Sequence, residues 1–441
     1  MKKSRYHFIG ICGISMSALA IYLKKQGHYV QGSDLVSGDI KERLKEYQIT
    51  VYDKHKKGNI TNVDIVVYNN AIKESNEELI EAKRQKLIII SRAQLLQQIS
   101  NEFKYVLAIS GSHGKTSTTK MLYNCLCCAG LNPTLHIGGI VNDGFGLIIG
   151  QKEYFVTEAC EYYDSFLYLK PDIGVILNIE KEHLDYFKSF KNEKQSFKKF
   201  SESCNRVISF DNQVIKNKSV ITFGKPSSNI CAKNIRENCG RYSFDCYING
   251  DFFVNIQLGA YGRHHINNAL AVIGVCYLKD VDKKYIRQGL NLDLNIKRRF
   301  ETIKTQNNKI IVHDYAHHPT EIQKTLNTFI SLCKNRKVMV VFQPHTYSRT
   351  KSLFNEFVNC FKSCNNVMLI KTYAAREKYD KSASAYTLYK TIKLGKNSCY
   401  YYASFDRAKD KILEYFNKGY NVILLGAGDI EKLADLIRKA P

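Results

Sequence analysis

The run LAISGSHGKTSTTKML, residues 107–122, holds the residues best placed for chemistry. An apolar, strand-like stretch ends at Ser110, a glycine-bearing turn follows, and a helical stretch opens near Lys115. Backbone N–H groups in such a turn, with a helix N-terminus behind them, cradle phosphate oxygens. On that reading Gly111, Ser112, His113 and Gly114 form the cradle and Lys115 sets a cation beside the β- and γ-phosphates. Thr116 then offers its hydroxyl to Mg2+, with Ser117 next to it. The longer GxxxxGK pattern needs a glycine where Ile109 stands, so only the short Gly111-x-x-Gly114-Lys115-Thr116 form is present. An ordinary turn competes with it.

Glu158 and Glu161 follow the apolar run YFVTEA, and His183 follows DIGVILNI. In an open parallel sheet, ligands collect at the carboxyl ends of strands. Thr116, Glu158 and His183 are therefore expected to converge and hold Mg2+ against a triphosphate. Singly, each has a plainer reading as a solvated carboxylate or an ordinary surface or core histidine. Later, VHDYAHHPTEI (312–322) puts Asp314, Tyr315, His317 and His318 at a strand end, with Pro319 opening a helix. FQPHTYSRTK (342–351) puts His345 and Arg349 at another strand end. No third ligand at helical or strand spacing supports zinc beside the paired histidines, and contacts to phosphate, carboxylate or amine fit better. In LLGAGDI, Gly426 and Gly428 mark either a close backbone approach or a plain tight turn.

The elements that must position these residues fall into three successive βα blocks. YHFIGI, YVQGS, IVVYNN and KLIIIS read as strands, and SMSALAIYLKKQG and IKERLKEY as helices. A second block restarts at KYVLAIS (104–110) and continues through YFVTEA, DIGVILNI and RVISF. A third follows KRRFE, with NKIIVHDY, a helix from Pro319, KVMVVFQP, NVMLIK and YNVILLG. A chain of 441 residues has room for two or three domains, and no stretch is long and apolar enough to cross a membrane.

The formal charge of +24 invites a nucleic-acid partner. Its lysines are spread rather than blocked, however. Abundant Lys, Asn, Ile and Tyr with no Trp and 6 Pro favour coding bias instead. The 14 cysteines form no paired zinc spacing; even Cys125, Cys127 and Cys128 fall where a helix is expected, which fits free thiols in a reducing compartment. The opening MKKSRYHFIGICGISMSALA has a secretory-signal look, but Gly10, Gly13, Ser15 and Ser17 interrupt the apolar region such a signal needs. A first strand, a small-residue phosphate turn and a helix are expected there.

Taken in order, HFIGICGISMSALA, GSHGKTSTT, EACEYYDSFL, NIEKEHLDYF, GRHHINNALAV, RRFE, DYAHHPTEI, FQPHTYSRT and GAGDI resemble the Mur ligase family over essentially the whole chain. The resemblance implies an α/β protein of three domains. These are a Rossmann-like UDP-sugar-binding domain (1–103), a central P-loop ATPase-like domain with a parallel or mixed sheet (104–298), and a Rossmann-like amino-acid-binding domain (299–441). It implies an ATP- and Mg2+-dependent ligase that phosphorylates the lactyl carboxylate of UDP-N-acetylmuramate and lets the L-alanine amine attack the acyl phosphate. The setting implied is peptidoglycan precursor synthesis in a bacterial cytoplasm, by a monomer or weak dimer, with no nucleic-acid or membrane partner.

Residue by residue, the resemblance gives Lys115, Glu158, His183, His317 and Arg349 catalytic roles. Asn268 would border adenine, and Arg299 and Asp314 would reach the ATP phosphates and ribose. Gly10, Gly13, Ser15, Ser17, Asp34 and Asn70 would bind the UDP-sugar, and Tyr315 and His345 would line the alanine side. Residues from the second and third domains would meet only on closure. Departures from the family pattern are Cys12, Ser15, Asn69-Asn70, Ser117, Cys160, His265 and Thr346, the last removing an expected cation. Lys194 lies near where other members carry a carbamylated lysine, without being assignable to that role.

Overall fold

The computed structural model describes residues 3–35, 38–141, 145–210, 220–334, 336–375, 377–394 and 398–440, with backbone alone at 184 and 185. The first sheet holds β1 (Arg5–Ile9), β2 (Tyr29–Ser33), β3 (Thr50–Tyr52), β4 (Ile65–Tyr68) and β5 (Ile88–Ser91), in the order β3-β2-β1-β4-β5. All pairs are parallel. Its helices are α1 (Ile14–Lys25), α2 (Asp39–Glu46), α3 (Glu77–Arg84) and α4 (Arg92–Ser100). The expected strand, turn and helix open the fold. Gly10 takes φ +81° between β1 and α1, and Met16 through Leu23 are all buried. The small residues Ser17, Ala18 and Ala20 let α1 be covered on every side.

The strand β3 and helices α3 and α4 were not anticipated. β3 has only three residues, and α3 is mostly charged. α4 did carry a signature, since Ser91 and Gln94 form a capping box.

The second sheet contains β6 (Tyr105–Ser110), β7 (Thr134–His136), β8 (Leu147–Ile148), β9 (Tyr154–Glu158), β10 (Ile173–Ile176), β11 (Arg206–Phe210), β12 (Val220–Phe223), β13 (Ile230–Asn238), β14 (Arg241–Ile248) and β15 (Asp251–Tyr261). Their order is β15-β14-β13-β12-β11-β10-β6-β9-β7-β8. β11, β10, β6, β9 and β7 run parallel, while β7 and β8 are antiparallel, so the sheet is mixed. The accompanying helices are α5 (Lys115–Cys128), α6 (Leu184–Phe187), α7 (Phe190–Glu202), α8 (His265–Leu278) and α9 (Lys283–Asn291). α5 and α9 pack backbone to backbone: a Cβ on Gly289 would come within 2.4 Å of Cys125 Cα. Cys125, Cys127 and Cys128 lie on α5 as free thiols.

The third sheet has β16 (Glu301–Gln306), β17 (Lys309–Asp314), β18 (Val338–Phe342), β19 (Asn366–Ile370), β20 (Ser398–Tyr402) and β21 (Asn421–Leu425), ordered β16-β17-β21-β18-β19-β20. Only its β16 edge is antiparallel. Its helices are α10 (Pro319–Cys333), α11 (Tyr347–Ser352), α12 (Phe354–Cys360), α13 (Ala385–Lys393), α14 (Phe405–Asn417) and α15 (Glu431–Arg438). Separate hydrophobic clusters cover the two faces, one around Phe329, Phe342 and Phe361 and one around Ile412, Phe416 and Leu433.

By contacts the chain forms two compact units: Met1–Ile235 with Phe244–Gly259 and Ile266–Leu294, and Arg236–Ser243 with Ala260–His265 and Asn295–Pro441. The first two sheets share one unit because a single apolar core runs through both. Phe103 and Phe155, for instance, have ring centroids 4.9 Å apart within it.

Candidate active site

The turn between β6 and α5 has the backbone that only glycine takes up readily, with φ +137° at Gly111 and +88° at Gly114. A side chain at either position would be strained by that backbone and tightly crowded. A Cβ on Gly111 would lie 3.0 Å from Leu177 Cβ, and one on Gly114 would lie 3.0 Å from Asn268 Oδ1. The loop after β10 braces the turn. Asn178 accepts the His113 N–H at 2.8 Å and donates to the His113 carbonyl at 2.9 Å, while the Ser112 hydroxyl accepts the Glu180 N–H at 2.8 Å. Thr116 and Ser117 follow at the start of α5, both buried.

Lys115 Nζ donates to the Gly111 and Ser112 carbonyls and lies 3.1 and 3.0 Å from the two oxygens of Glu161. Burial works against both charges. The Glu161 charge nevertheless holds the Lys115 pKa above its usual range, and Lys115 and His183 hold Glu161 below its own. His183 sits at φ +52°, with its ring stacked on Tyr162 at 4.3 Å between centroids. Its Nε2 lies 3.5 Å from Glu161 and 4.0 Å from Glu182. Tyr163 and Asp164 are also left-handed, at φ +54° and +53°, with Asp164 accepting from Tyr186 at 2.7 Å and from Ser196. Such clustering of strained backbone is common at functional sites.

Among the described residues, Glu161, Glu182 and His183 bring ligand atoms within 4.8 Å of one another. The sequence reading paired His183 with Glu158 instead. Sheet order explains the difference. β9 lies between β6 and β7, and Glu158, its last residue, accepts the N–H of Gly138 just after β7 at 2.9 Å. Glu161, three residues on, returns to the β6 side and meets Lys115. Lys194 lies with its ammonium 4.5 Å over the Phe190 ring.

At the first turn, Cys12 donates its N–H to Asp34 at 2.8 Å. Asn69, rather than the exposed Asn70, closes on the turn, since a Cβ on Gly10 would meet Asn69 Nδ2 at 2.7 Å. The N–H of Gly13 donates to the Gly10 carbonyl at 3.3 Å. Ser17 is fully buried and donates its hydroxyl to the Ile14 carbonyl at 3.0 Å, so it packs within α1 rather than serving the turn. Ser15 is bonded to His136 at 3.0 Å and to Arg92 at 3.3 Å. Sequence reasoning missed both partners, because neither stands in a motif.

In the second unit, Asp314 is buried and fully engaged. It accepts the Phe300 N–H at 2.7 Å, the Ala316 N–H at 2.9 Å and the Thr325 hydroxyl at 3.3 Å, so it braces the turn carrying Arg299. Burial raises its pKa, against the charge of Arg299. Arg298 and Arg299 lie over the Tyr315 ring at 4.6 and 5.2 Å. His317 and His345 have ring centroids 5.7 Å apart, and Arg349 Nη1 is 3.1 Å from His345 Nδ1. Burial, then His317 and Arg349, push the His345 pKa down to about 4, so it is a neutral acceptor for Arg349. His318 caps α10 and Thr346 caps α11. Arg298, the first arginine of the RRFE motif and given no role from the sequence, donates to the carbonyls of Gly426 and Gly428 at 3.1 and 3.0 Å. The close-approach reading of those glycines holds at Gly428, where a Cβ would meet Tyr373 Cβ at 2.5 Å. His265, buried against His264, is pushed well below the usual histidine range by burial, then by His264 and Arg299.

Residues 5–104 match the family model described as Mur ligase family, catalytic domain. Residues 109–276 match the Mur ligase middle domain, and 298–428 the Mur ligase, glutamate ligase domain. The UDP-N-acetylmuramate–L-alanine ligase of Clostridium perfringens is 38% identical, over 99% of this chain and 98% of its own. The enzyme of that name from Caldicellulosiruptor bescii is 40% identical over the same shares, 99% and 98%. The crystal structure of the UDP-N-acetylmuramate–alanine ligase of Thermotoga maritima superposes with a TM-score of 0.85 at 25% identity, covering 98% of each chain. With three domain models matched in order and relatives of this identity along its whole length, the chain belongs to the Mur ligase family.

Proposed function

We propose that this chain is the ATP-dependent ligase that joins L-alanine to the lactyl carboxylate of UDP-N-acetylmuramate in peptidoglycan precursor synthesis, releasing ADP and phosphate. The reading is supported above all by Lys115, seated at the head of α5 in a glycine turn and beside Glu161, Glu182 and His183. Its domains would divide at 103/104 and 298/299. No described helix is long and apolar enough to cross a membrane.

A carboxylate is a poor electrophile, and phosphorylation turns it into an acyl phosphate that an amine can attack. Phosphoryl transfer asks mainly for positioning and charge neutralisation. The N–H groups of residues 111–116 would orient the triphosphate, and Lys115 would neutralise charge on its β- and γ-oxygens. The carboxylates of Glu161 and Glu182 suit Mg2+, with Thr116 and Glu158 as further oxygen donors on the triphosphate side and His183 beside them. Bound there, Mg2+ would offset phosphate charge and polarise the carboxylate.

Gly10, Gly13, Ser15, Asp34 and Asn69 would hold the UDP-sugar. Asn268 and Arg299 would border the nucleotide, with Asp314 acting through the turn it braces. Tyr315, His317, His345 and Arg349 would line the alanine and acyl-phosphate side, and neutral His345 would keep Arg349 aimed.

The test is phosphate release from ATP with Mg2+, UDP-N-acetylmuramate and each of several amino acids, beside a Lys115→Ala control. Release that needs both the UDP-sugar and L-alanine, and is lost in the control, is expected. ATP turnover indifferent to the sugar but raised by nucleic acid would overturn the reading.

A further inference from the structure

Arg92, the first residue of α4, is a half-buried guanidinium with five donors and a single hydrogen bond among the described residues, 3.3 Å from Nη1 to Ser15 Oγ. No described carboxylate lies within ion-pair distance of it. A cation withdrawn from water without a counter-ion is costly unless an anion completes it. Burial has already pulled its pKa below the ordinary arginine value.

Its one partner is held by a directed chain. Thr157 Oγ1 donates to the Glu158 carbonyl at 3.1 Å, so it accepts from His136 Nδ1 at 3.0 Å. In the tautomer that matches this direction, His136 Nε2 accepts from the Ser15 hydroxyl at 3.0 Å. Burial, then the Arg92 charge, push His136 down to about 3 and keep it neutral. Ser15 Oγ is thereby left as the acceptor for Arg92. Ser15 is also the second residue of α1, directly after the Gly10–Gly13 turn.

We infer that Arg92 is a substrate-binding residue whose guanidinium grips the diphosphate of the sugar nucleotide beside the Gly10–Gly13 turn, with His136 and Ser15 holding it in place. The inference rests on the UDP-sugar reading above. A planar guanidinium matches two phosphate oxygens at once, which a lysine cannot do.

The test uses UDP, which carries the diphosphate and lacks the lactyl carboxylate. Calorimetry on the full-length protein should show R92M binding UDP ten- to a hundredfold more weakly than the parent, roughly the contribution of one charge-assisted partner. R92K should fall between them. The KM for UDP-N-acetylmuramate should rise in parallel while that for ATP stays put. The melting temperature of R92M should hold or rise, since a cation without a counter-ion is removed. If R92M fails to fold, R92K is read alone and must still lose UDP affinity at an unchanged melting temperature. Unchanged UDP affinity with a raised KM for the full substrate would assign Arg92 to the carboxylate and overturn the inference. Weaker UDP binding accompanied by a lower melting temperature in both variants would make it structural and overturn it too. A parent protein that binds no UDP would sink the UDP-sugar reading and this inference together, whereas a working ligase with UDP-indifferent R92M sinks the inference alone.

Discussion

Lys115 Nζ lies 3.0 Å from Glu161 Oε2, with the lysine side chain 16% exposed and the glutamate 1%. Each charge stabilises the other where burial disfavours both. Glu161 also faces His183, so one carboxylate joins the glycine turn after β6 to the loop after β10. The lysine is thereby fixed in the turn by its two carbonyl partners and by Glu161.

Lys115→Met should lower kcat by at least about a thousandfold, the scale on which loss of a preorganised charge at a phosphoryl-transfer centre is felt. The melting temperature is expected to change far less than the activity. Steady-state kinetics with thermal unfolding checks both, and a fall of under tenfold would remove Lys115 from the chemistry.

Glu161→Ala leaves Lys115 buried without its carboxylate. A broken buried pair costs about 3–5 kcal/mol, so this variant should unfold at clearly lower denaturant than the parent. Removing both charges in Lys115→Met/Glu161→Ala should recover part of that loss. A double-mutant cycle by urea unfolding measures the coupling, and strictly additive losses would contradict the pairing.

Acid should destabilise the fold through histidines buried neutral. His136 and His313 are both pushed to about 3, chiefly by burial, from an ordinary value near 6.5. Between those values the unfolded chain binds more protons than the folded one, so stability is full above about 6.5 and falls as pH drops toward about 3. His136→Asn should flatten that acid-side slope. Unfolding free energies at a series of pH values between 4 and 7 test it, and an unaltered slope would count against it.

Gly289→Ala should destabilise the protein by about 1–3 kcal/mol, the usual cost of overpacking, because its Cβ would sit 2.4 Å from Cys125 Cα. The added methyl forces α9 away from α5, the helix that presents Lys115. A lower melting temperature is expected, and an unchanged one would show that the two helices can separate freely.

The strand, glycine turn and helix at residues 105–128 were legible because every signal is local: an apolar run, two glycines and a helix start within a few residues. The three βα blocks were legible for the same reason, and the motif order carried the family. Non-local geometry decided the rest. Glu158 and Glu161 look equivalent in sequence, and only the position of β9 between β6 and β7 sends the first to Gly138 and the second to Lys115. Ser17 looks like a turn residue until α1 buries it, and Asn69 rather than Asn70 proves to face Gly10. Arg92 and His136 stand 77 and 121 residues from Ser15 and meet it only because the first two sheets share a core. A sequence fixes which residues neighbour each other along one element, but packing between elements decides which charges meet and which stay without a counter-charge beside them.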